Sequence, residues 1–304
     1  MRTGWYSVFL VLANIFWAGN FIFGALVVDQ IAPVELTFLR WALAAPILAV
    51  LALLMDRGSL RTILAEWWKH LLLALLGPIG YCLFTYEALR HTTPVNASLV
   101  SSVNPVLIAV VATLVARERM SRAGALGLGV SLIGVLLVIS GGNVGALLSG
   151  GGDRTGELLM IAAVLSWTAF TVFGRTLRTP PVAASATQAI FASLVLLPFV
   201  AVGLPRLALD GGGWLAVVYI ALFPSIGSFL LWALSVKRLG AGTAGVYLNL
   251  LPIFTAVLGV LIGVPLSAAQ IIGGVLVMVG VTLTSRAGRS GGRAAPVGRT
   301  GPVR

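Results

Sequence analysis

Apolar runs long enough to cross a bilayer follow one another along this chain with little between them. A spanning helix needs roughly 20 apolar residues. By that measure ten spans are predicted, at 4–28, 33–55, 70–89, 95–116, 122–140, 156–175, 183–203, 212–236, 242–262 and 266–285. The breaks between most of them are short, which predicts antiparallel neighbours in an all-α bundle.

One of these runs has an internal pattern. In VNASLVSSVNPVLIAVVATLVARERMS (Val95 to Ser121), a turn of about 100° per residue puts Ala97, Ser98, Ser101, Ser102 and Pro105 on one arc, with Leu99, Val103, Val106 and Val110 opposite. Pro105 has no N–H, so the Ser101 carbonyl is expected to lose its helical partner, and Pro252 does the same to Leu248. A bare carbonyl in hydrocarbon costs several kcal/mol. Both segments are therefore expected to face protein, water or a ligand. Asn96 falls on the other side of its helix and reads as structural.

The second proline segment is a weaker copy of the first. At an offset of 147, Ala97 falls on Ala244, Pro105 on Pro252, Ala109 on Ala256 and Val110 on Val257. Span one pairs with span six at 150 (Trp17 with Trp167, Phe23 with Phe173, Gly24 with Gly174), and span three with span eight through Ile79/Ile226 and Gly80/Gly227. Span five pairs with span ten at 146 (Gly127/Gly273, Gly134/Gly280, Val135/Val281). Five spans per copy is an odd number, so the copies cross the membrane in opposite senses. The predicted fold is an all-α membrane protein of ten transmembrane helices in two inverted five-helix repeats, the arrangement by which secondary transporters place a site between halves. The units are 1–148 and 149–285, with a disordered basic tail at 286–304.

A mean hydropathy of +1.03 with 10% charged residues excludes a soluble globular core. The net charge of +11 on its own would suit a nucleic-acid partner, but its distribution argues for a bilayer instead. With a cytoplasmic N-terminus, sixteen of the twenty basic residues fall inside, only Arg90, Arg154 and Arg206 fall outside, and Arg40 lies within a span. The positive-inside rule then gives N-in and C-in. The first span is too long for a signal-peptide core and lacks a small-residue cleavage site, so it is expected to remain. Cys82, the only cysteine, excludes a disulfide within the chain.

Arg40 lies about 10 Å along the second span at 1.5 Å per residue, and Glu87 is placed at a comparable depth in the third. Together they could form a gate or coupling pair; a structural ion pair, or Arg40 reaching to the headgroups, is the plainer alternative. Of nine acids, Asp29, Asp56, Glu66, Glu118, Asp153 and Asp210 lie in loops or at ends, and Glu35 and Glu157 open spans. Glu87 is thus the expected carrier of any proton coupling, with His70 and His91 at membrane surfaces. Candidates for substrate binding are Trp17, Asn20, Tyr81, Ser101, Ser102, Asn104, Trp167, Trp232, Tyr247 and Asn249, because rings with a few amides and hydroxyls suit a small, partly apolar ligand. Any one ring could instead be interhelical packing or interfacial belt. Pro78, Pro105, Pro224 and Pro252 are expected to act as hinges. Small residues such as Gly127, Ser131, Gly134, Gly273 and Gly280 are expected to let helices approach closely.

At this point the chain resembles the EamA family of the drug/metabolite transporter superfamily, nearly to its tail. The pieces that carry the resemblance are LTFLRWALAAPIL (Leu36 to Leu48), YEALRHTTPVNASLVSSVNPVL (Tyr86 to Leu107), ARERMS (Ala116 to Ser121) and their second-half counterparts. The resemblance implies a bacterial inner-membrane carrier working by alternating access, often an exporter of amino acids, aromatic ones among them, or of other metabolites. One departure is visible: the family's Gly-Glu-type turn keeps Glu118 in the first copy, but the second reads Gly263-Val264-Pro265.

The expected function is export of amino acids, aromatic or bulky apolar ones favoured. A multidrug, nucleoside or vitamin carrier of the same fold is the alternative, and a channel or sensor is a further class. An intramembrane enzyme is not expected, since no span holds paired aspartates and no HExxH occurs. No cofactor, metal site or nucleic-acid partner is expected; the partners are a small-molecule substrate and the lipid bilayer, and the protein is a monomer or homodimer.

Overall fold

A computed structural model describes residues 3–116, 122–143, 154–201, 208–239 and 247–291. Among them the chain is helical, without strands. The helices are α1 (Thr3–Val27), α2 (Pro33–Met55), the short α3 (Leu60–Ala65), α4 (Trp67–Ala74), α5 (Cys82–Ala88), α6 (Pro94–Ser101), α7 (Asn104–Ala116) and α8 (Arg122–Ile139). They continue as α9 (Thr155–Gly174), α10 (Pro181–Val200), α11 (Gly211–Leu222), α12 (Ser228–Leu239), α13 (Leu250–Leu261) and α14 (Ala268–Gly291). Two π-helical segments, Leu75–Tyr81 and Phe223–Gly227, join α4 to α5 and α11 to α12.

Seven helical stretches among the described residues are long and apolar enough to cross a membrane, and three further apolar helices are shorter. The predicted span at 95–116 breaks at Ser102 and Val103, where α6 gives way to α7. The second copy turns at Leu248 and Asn249 before α13. Pro105 and Pro252 thus stand in the first turn of a new helix, where a missing N–H costs nothing. That corrects the expectation of a bare carbonyl at Leu248, whose oxygen accepts from the Leu251 N–H at 3.1 Å. Pro78 and Pro224 behave differently: each is enclosed in a π segment, which rearranges the backbone pairing that proline disrupts. Two other prolines, Pro46 and Pro198, leave α2 and α10 continuous.

Some boundaries also move. The loop 56–69 contains α3, and the third span starts at Trp67. The last helix runs to Gly291, into the expected tail, whose residues 292–304 lie outside the described residues. Glu118, and the joint from 144 to 153, lie outside the described residues.

Packing follows the small residues. Helix α8 lies along α14 and α2 along α10. A Cβ on Gly134 would stand 2.6 Å from the Gly273 carbonyl oxygen, and one on Gly280 would be 2.5 Å from that of Gly127. The two backbones are therefore nearly in contact, as the glycine pattern predicted. One buried cluster, including Phe21, Leu36, Tyr86, Val103, Met160, Ile220 and Val277, draws on α1, α2, α5, α9, α11, α14 and the turn between α6 and α7. Large apolar side chains such as Leu53, Phe199, Leu215 and Leu261 are exposed, the surface a lipid-facing bundle requires.

Candidate functional site

Arg40 is the centre of a buried polar group that joins four segments of the bundle. Its Nε donates to Ser225 Oγ at 2.8 Å, and its Nη1 donates to Asn20 Oδ1 at 2.9 Å and Tyr86 Oη at 2.8 Å. Tyr86 Oη in turn donates to Asn20 Oδ1 at 2.9 Å. Arg40 comes from α2, Asn20 from α1, Tyr86 from α5 and Ser225 from the second π segment, and all four are buried. Ser225 is present for a local reason. Pro224 cannot supply an N–H to the Ile220 carbonyl, and Ser225 Oγ donates to that oxygen at 2.7 Å. The same hydroxyl then accepts from Arg40. The Trp41 ring lies 4.9 Å from the guanidinium carbon, and its Nε1 donates to the Pro78 carbonyl at 2.8 Å, which ties α2 to the first π segment.

The predicted rings meet in two pairs. Trp17 lies 5.6 Å from Trp232, and Tyr81 lies 5.0 Å from Trp167, with interplanar angles of 55° and 53°. Trp167 also packs 5.0 Å from Phe170. Tyr81 Oη sits 3.5 Å from Ser101 Oγ, and Thr168 Oγ1 donates to Asn104 Oδ1 at 3.4 Å. Ser102 Oγ turns back to its own helix, donating to the Leu99 carbonyl at 2.6 Å. Asn249 Nδ2 donates to Thr282 Oγ1 at 3.4 Å, and Tyr247 is half-buried just before it. The structure thus groups Asn20 with Arg40, Trp17 with Trp232, and Tyr81 with Trp167 and Ser101.

Arg40 and Glu87 do not pair. The Glu87 side chain is 38% exposed and reaches Arg90 at 3.6 Å and His91 at 3.5 Å on its own stretch of chain. The reason is that α5 ends at Ala88, so Glu87 turns out at the helix end. The more buried carboxylates are Glu66 and Glu157. Glu157 Oε1 accepts from Thr92 Oγ1 at 2.7 Å and Asn96 Nδ2 at 3.4 Å, while Asn96 Oδ1 accepts from Gln270 at 2.9 Å. His70, in the first turn of α4, is fully buried with Nε2 3.0 Å from Thr179 Oγ1. Around it Glu66 Oε1 accepts from Lys69 Nζ at 2.9 Å, and Oε2 accepts from the Arg178 N–H at 3.0 Å and Thr179 Oγ1 at 3.2 Å. The bond from Lys69 is the main reason that the Glu66 carboxyl is held down at about 2, with the Arg178 N–H adding to it and burial opposing. Asp56 Oδ2 accepts from the Val182 and Ala183 N–H groups at 3.0 and 2.9 Å, satisfying the first turn of α10 from outside it.

Tyr86 and Ser225 were not among the sequence candidates. In the sequence Tyr86 is marked only by its place in the quoted YEALRHTTP stretch. Ser225 had one usable signal, a hydroxyl directly after a mid-span proline. Away from these groups, a cavity of about 410 Å³ between α6, α13 and α14 is lined almost wholly by apolar atoms, from Leu99, Pro252, Ala256 and Met278 among others.

The EamA-like transporter family matches residues 4–140 and again 154–286. The chain belongs to the EamA-like transporter family. Members of this family are membrane-embedded transporters and not enzymes. A relative named an uncharacterized transporter, YyaM of Bacillus subtilis, is 28% identical over 91% of this chain and 92% of its own length. The aromatic amino acid exporter YddG of Ancylobacter novellus is 25% identical over 73% of this chain and 79% of its own. A protein of Salmonella typhimurium named a probable amino-acid metabolite efflux pump is 24% identical over 89% and 91%. A solved crystal structure at 22% identity superposes with a TM-score of 0.66, covering 95% of this EamA-like chain and 99% of its own, which establishes the likeness of fold.

Proposed function

We propose that this EamA-like protein is a secondary carrier of the bacterial inner membrane that exports amino acids, aromatic and bulky apolar ones first, by alternating access. Its ten spans form two inverted five-helix halves, 1–148 and 149–285, with both termini cytoplasmic, and it acts as a monomer or homodimer. The observation that carries this reading is that each of two repeat-related tryptophans meets a ring from the other half. Trp17 and Trp167 are counterparts at an offset of 150, while Tyr81 and Trp232, at 151, stand about one helical turn away from the 147 offset that pairs their spans. Each of the two ring pairs joins the N-terminal half of the chain to the C-terminal half. The helices repeat this: α1 packs on α12, as α9 packs on α5. Matched cross-half contacts are what an inverted repeat supplies around a shared path.

The pairs also fit the cargo. Rings beside Ser101, Asn104 and Thr168 offer apolar walls and a few polar points, the composition that suits an amino acid with a large side chain. The names of two relatives point the same way. Pro78, Pro105, Pro224 and Pro252 are the hinges, since each marks a π segment or a helix restart.

Counterflow in proteoliposomes preloaded with a panel of amino acids tests the reading. Phenylalanine, tryptophan or leucine should exchange saturably, and Trp167→Ala should lose most of that exchange. Pro105→Ala and Pro252→Ala should slow it. If no amino acid moves while the protein is folded and monodisperse, the substrate class is wrong and nucleosides, vitamins and cationic drugs take its place.

A further inference from the structure

We infer that Arg40 is an anion-docking point, whose free Nη2 takes the carboxylate of the transported molecule. The inference deepens the carrier reading above and rests on it. A guanidinium has five N–H donors. Three are used at Arg40: the one on Nε by Ser225 and the two on Nη1 by Asn20 and Tyr86. Both hydrogens on Nη2 are left without a bond among the described residues. The three acceptors come from α1, α5 and the second π segment, so the plane of the guanidinium is set from three sides before any ligand arrives.

Apart from the Trp41 ring, the charge meets nothing negative among the described residues. Every oxygen that Arg40 touches is neutral, an amide, a phenol and a hydroxyl. Among the described residues the ion pairs are Lys69 with Glu66, Arg90 with Glu87, and His91 with Glu87, and none involves Arg40. A buried cation in a spanning helix is costly unless something negative approaches it. Among the described residues the oxygens next to Arg40 bring no such partner. Asn20 Oδ1 already accepts two bonds, from Arg40 and Tyr86, and the Ser225 proton goes to the Ile220 carbonyl. The node is saturated on one side and open on the other.

That open side fits a carboxylate. The two hydrogens on Nη2 diverge, so the site offers an anion single charge-assisted bonds from a nitrogen fixed in direction, and no two-nitrogen fork, because Nε and Nη1 are already taken. Arg40 is buried, with 6% of its surface exposed. The next residue, Trp41, holds the π segment that presents Tyr81 to Trp167, and so the cation and the ring cluster share one scaffold. An amino acid with its carboxylate at Arg40 and its side chain toward those rings would use both. Because Asn20 and Tyr86 lie in the N-terminal half of the chain and Ser225 in the C-terminal half, an anion there also engages both.

The experiment separates this claim from the carrier reading. Counterflow of labelled phenylalanine is competed by phenylalanine, 3-phenylpropionate, phenylalaninamide and phenethylamine. In the wild type the two acids should compete, and the amide and amine should be weaker by about 10- to 100-fold, the loss expected when a charge-assisted hydrogen bond goes unmade. Arg40→Gln should lose exchange of the acids and no longer rank acid above amide. Arg40→Lys, which keeps the charge but not the bonds that fix its direction, should fall between. Wild-type protein that exchanges phenethylamine as well as phenylalanine would overturn the inference, even if the Arg40 variants fail to fold. If phenylalanine is not carried at all, the substrate class falls and thermal unfolding of the purified protein decides about Arg40. Stabilisation by 3-phenylpropionate or formate in the wild type, absent in Arg40→Gln, supports a carboxylate dock. No stabilisation by either acid overturns it, as does stabilisation by chloride alone, which would make the anion a resident halide.

Discussion

Glu66 and Glu87 are both carboxylates at the edge of one apolar run, and their surroundings make them opposites. Glu87 faces outward to Arg90 and His91, where solvent screens the pair and its worth is small. Glu66 accepts three hydrogen bonds in a buried corner, two of them from the segment that leads into α10. Its carboxyl is lowered from an ordinary 4.5 to about 2, which favours the folded state while the group is ionised. A depressed carboxyl contributes fully above the unfolded value and loses the contribution as pH falls through the folded one. Wild-type protein should therefore melt at a higher temperature than Glu66→Gln at pH 7, with the gap closing between pH 4.5 and about 2. A gap that stays constant across that window would show that the carboxylate's charge is not what ties Arg178 and Thr179 down. Sequence position alone could not separate the two acids. It fixes depth along the chain, but whether a side chain faces a donor depends on where the helix ends and what packs there.

At the scale of elements, the features easiest to read were those written as spacing. The Gly127, Gly134, Gly273 and Gly280 pattern predicted close helices, and α8 and α14 meet backbone to backbone. Gly134 and Gly129 make a controlled comparison on one helix. A Cβ at Gly134 would lie 2.6 Å from a carbonyl oxygen and 2.7 Å from the Val277 nitrogen, both backbone atoms that cannot rotate away, whereas a Cβ at Gly129 meets nothing within 4 Å. Gly134→Ala should force the helices apart and cost about 1–3 kcal/mol in thermal unfolding, the range for overpacking. Gly129→Ala should be neutral or stabilising by up to about 1 kcal/mol, from helix propensity. Equal stability of the two variants would mean that the α8–α14 contact gives way cheaply. The π segments were legible only in part. Pro78 and Pro224 marked the places, but the choice between a kink, a restart and a π turn was set by partners distant in sequence, such as Trp41 on the Pro78 carbonyl and Arg40 on Ser225.

For the whole molecule, an apolar pattern fixed the class of fold, because a bilayer leaves helices few alternatives. It could not fix which polar residues converge. Arg40 and Asn20 stood out as polar groups in apolar runs, but Ser225, 185 positions from Arg40 along the chain, gains its role only when α2 meets the second π segment. Orientation rests on a different signal, charge summed over loops. If the positive-inside count is right, Arg57 is cytoplasmic and Gly211 is on the opposite side. Both positions are exposed, and Cys82, the single native thiol, is buried, so an introduced cysteine reports on its own location. In intact cells a membrane-impermeant maleimide should label Gly211→Cys and leave Arg57→Cys unlabelled until the membrane is opened. The reverse pattern would invert the protein, and with it the proposed direction of transport. Labelling of both from outside would mean that the ten-span count is wrong between residues 57 and 211, a stretch containing 117–121 and 144–153, which lie outside the described residues.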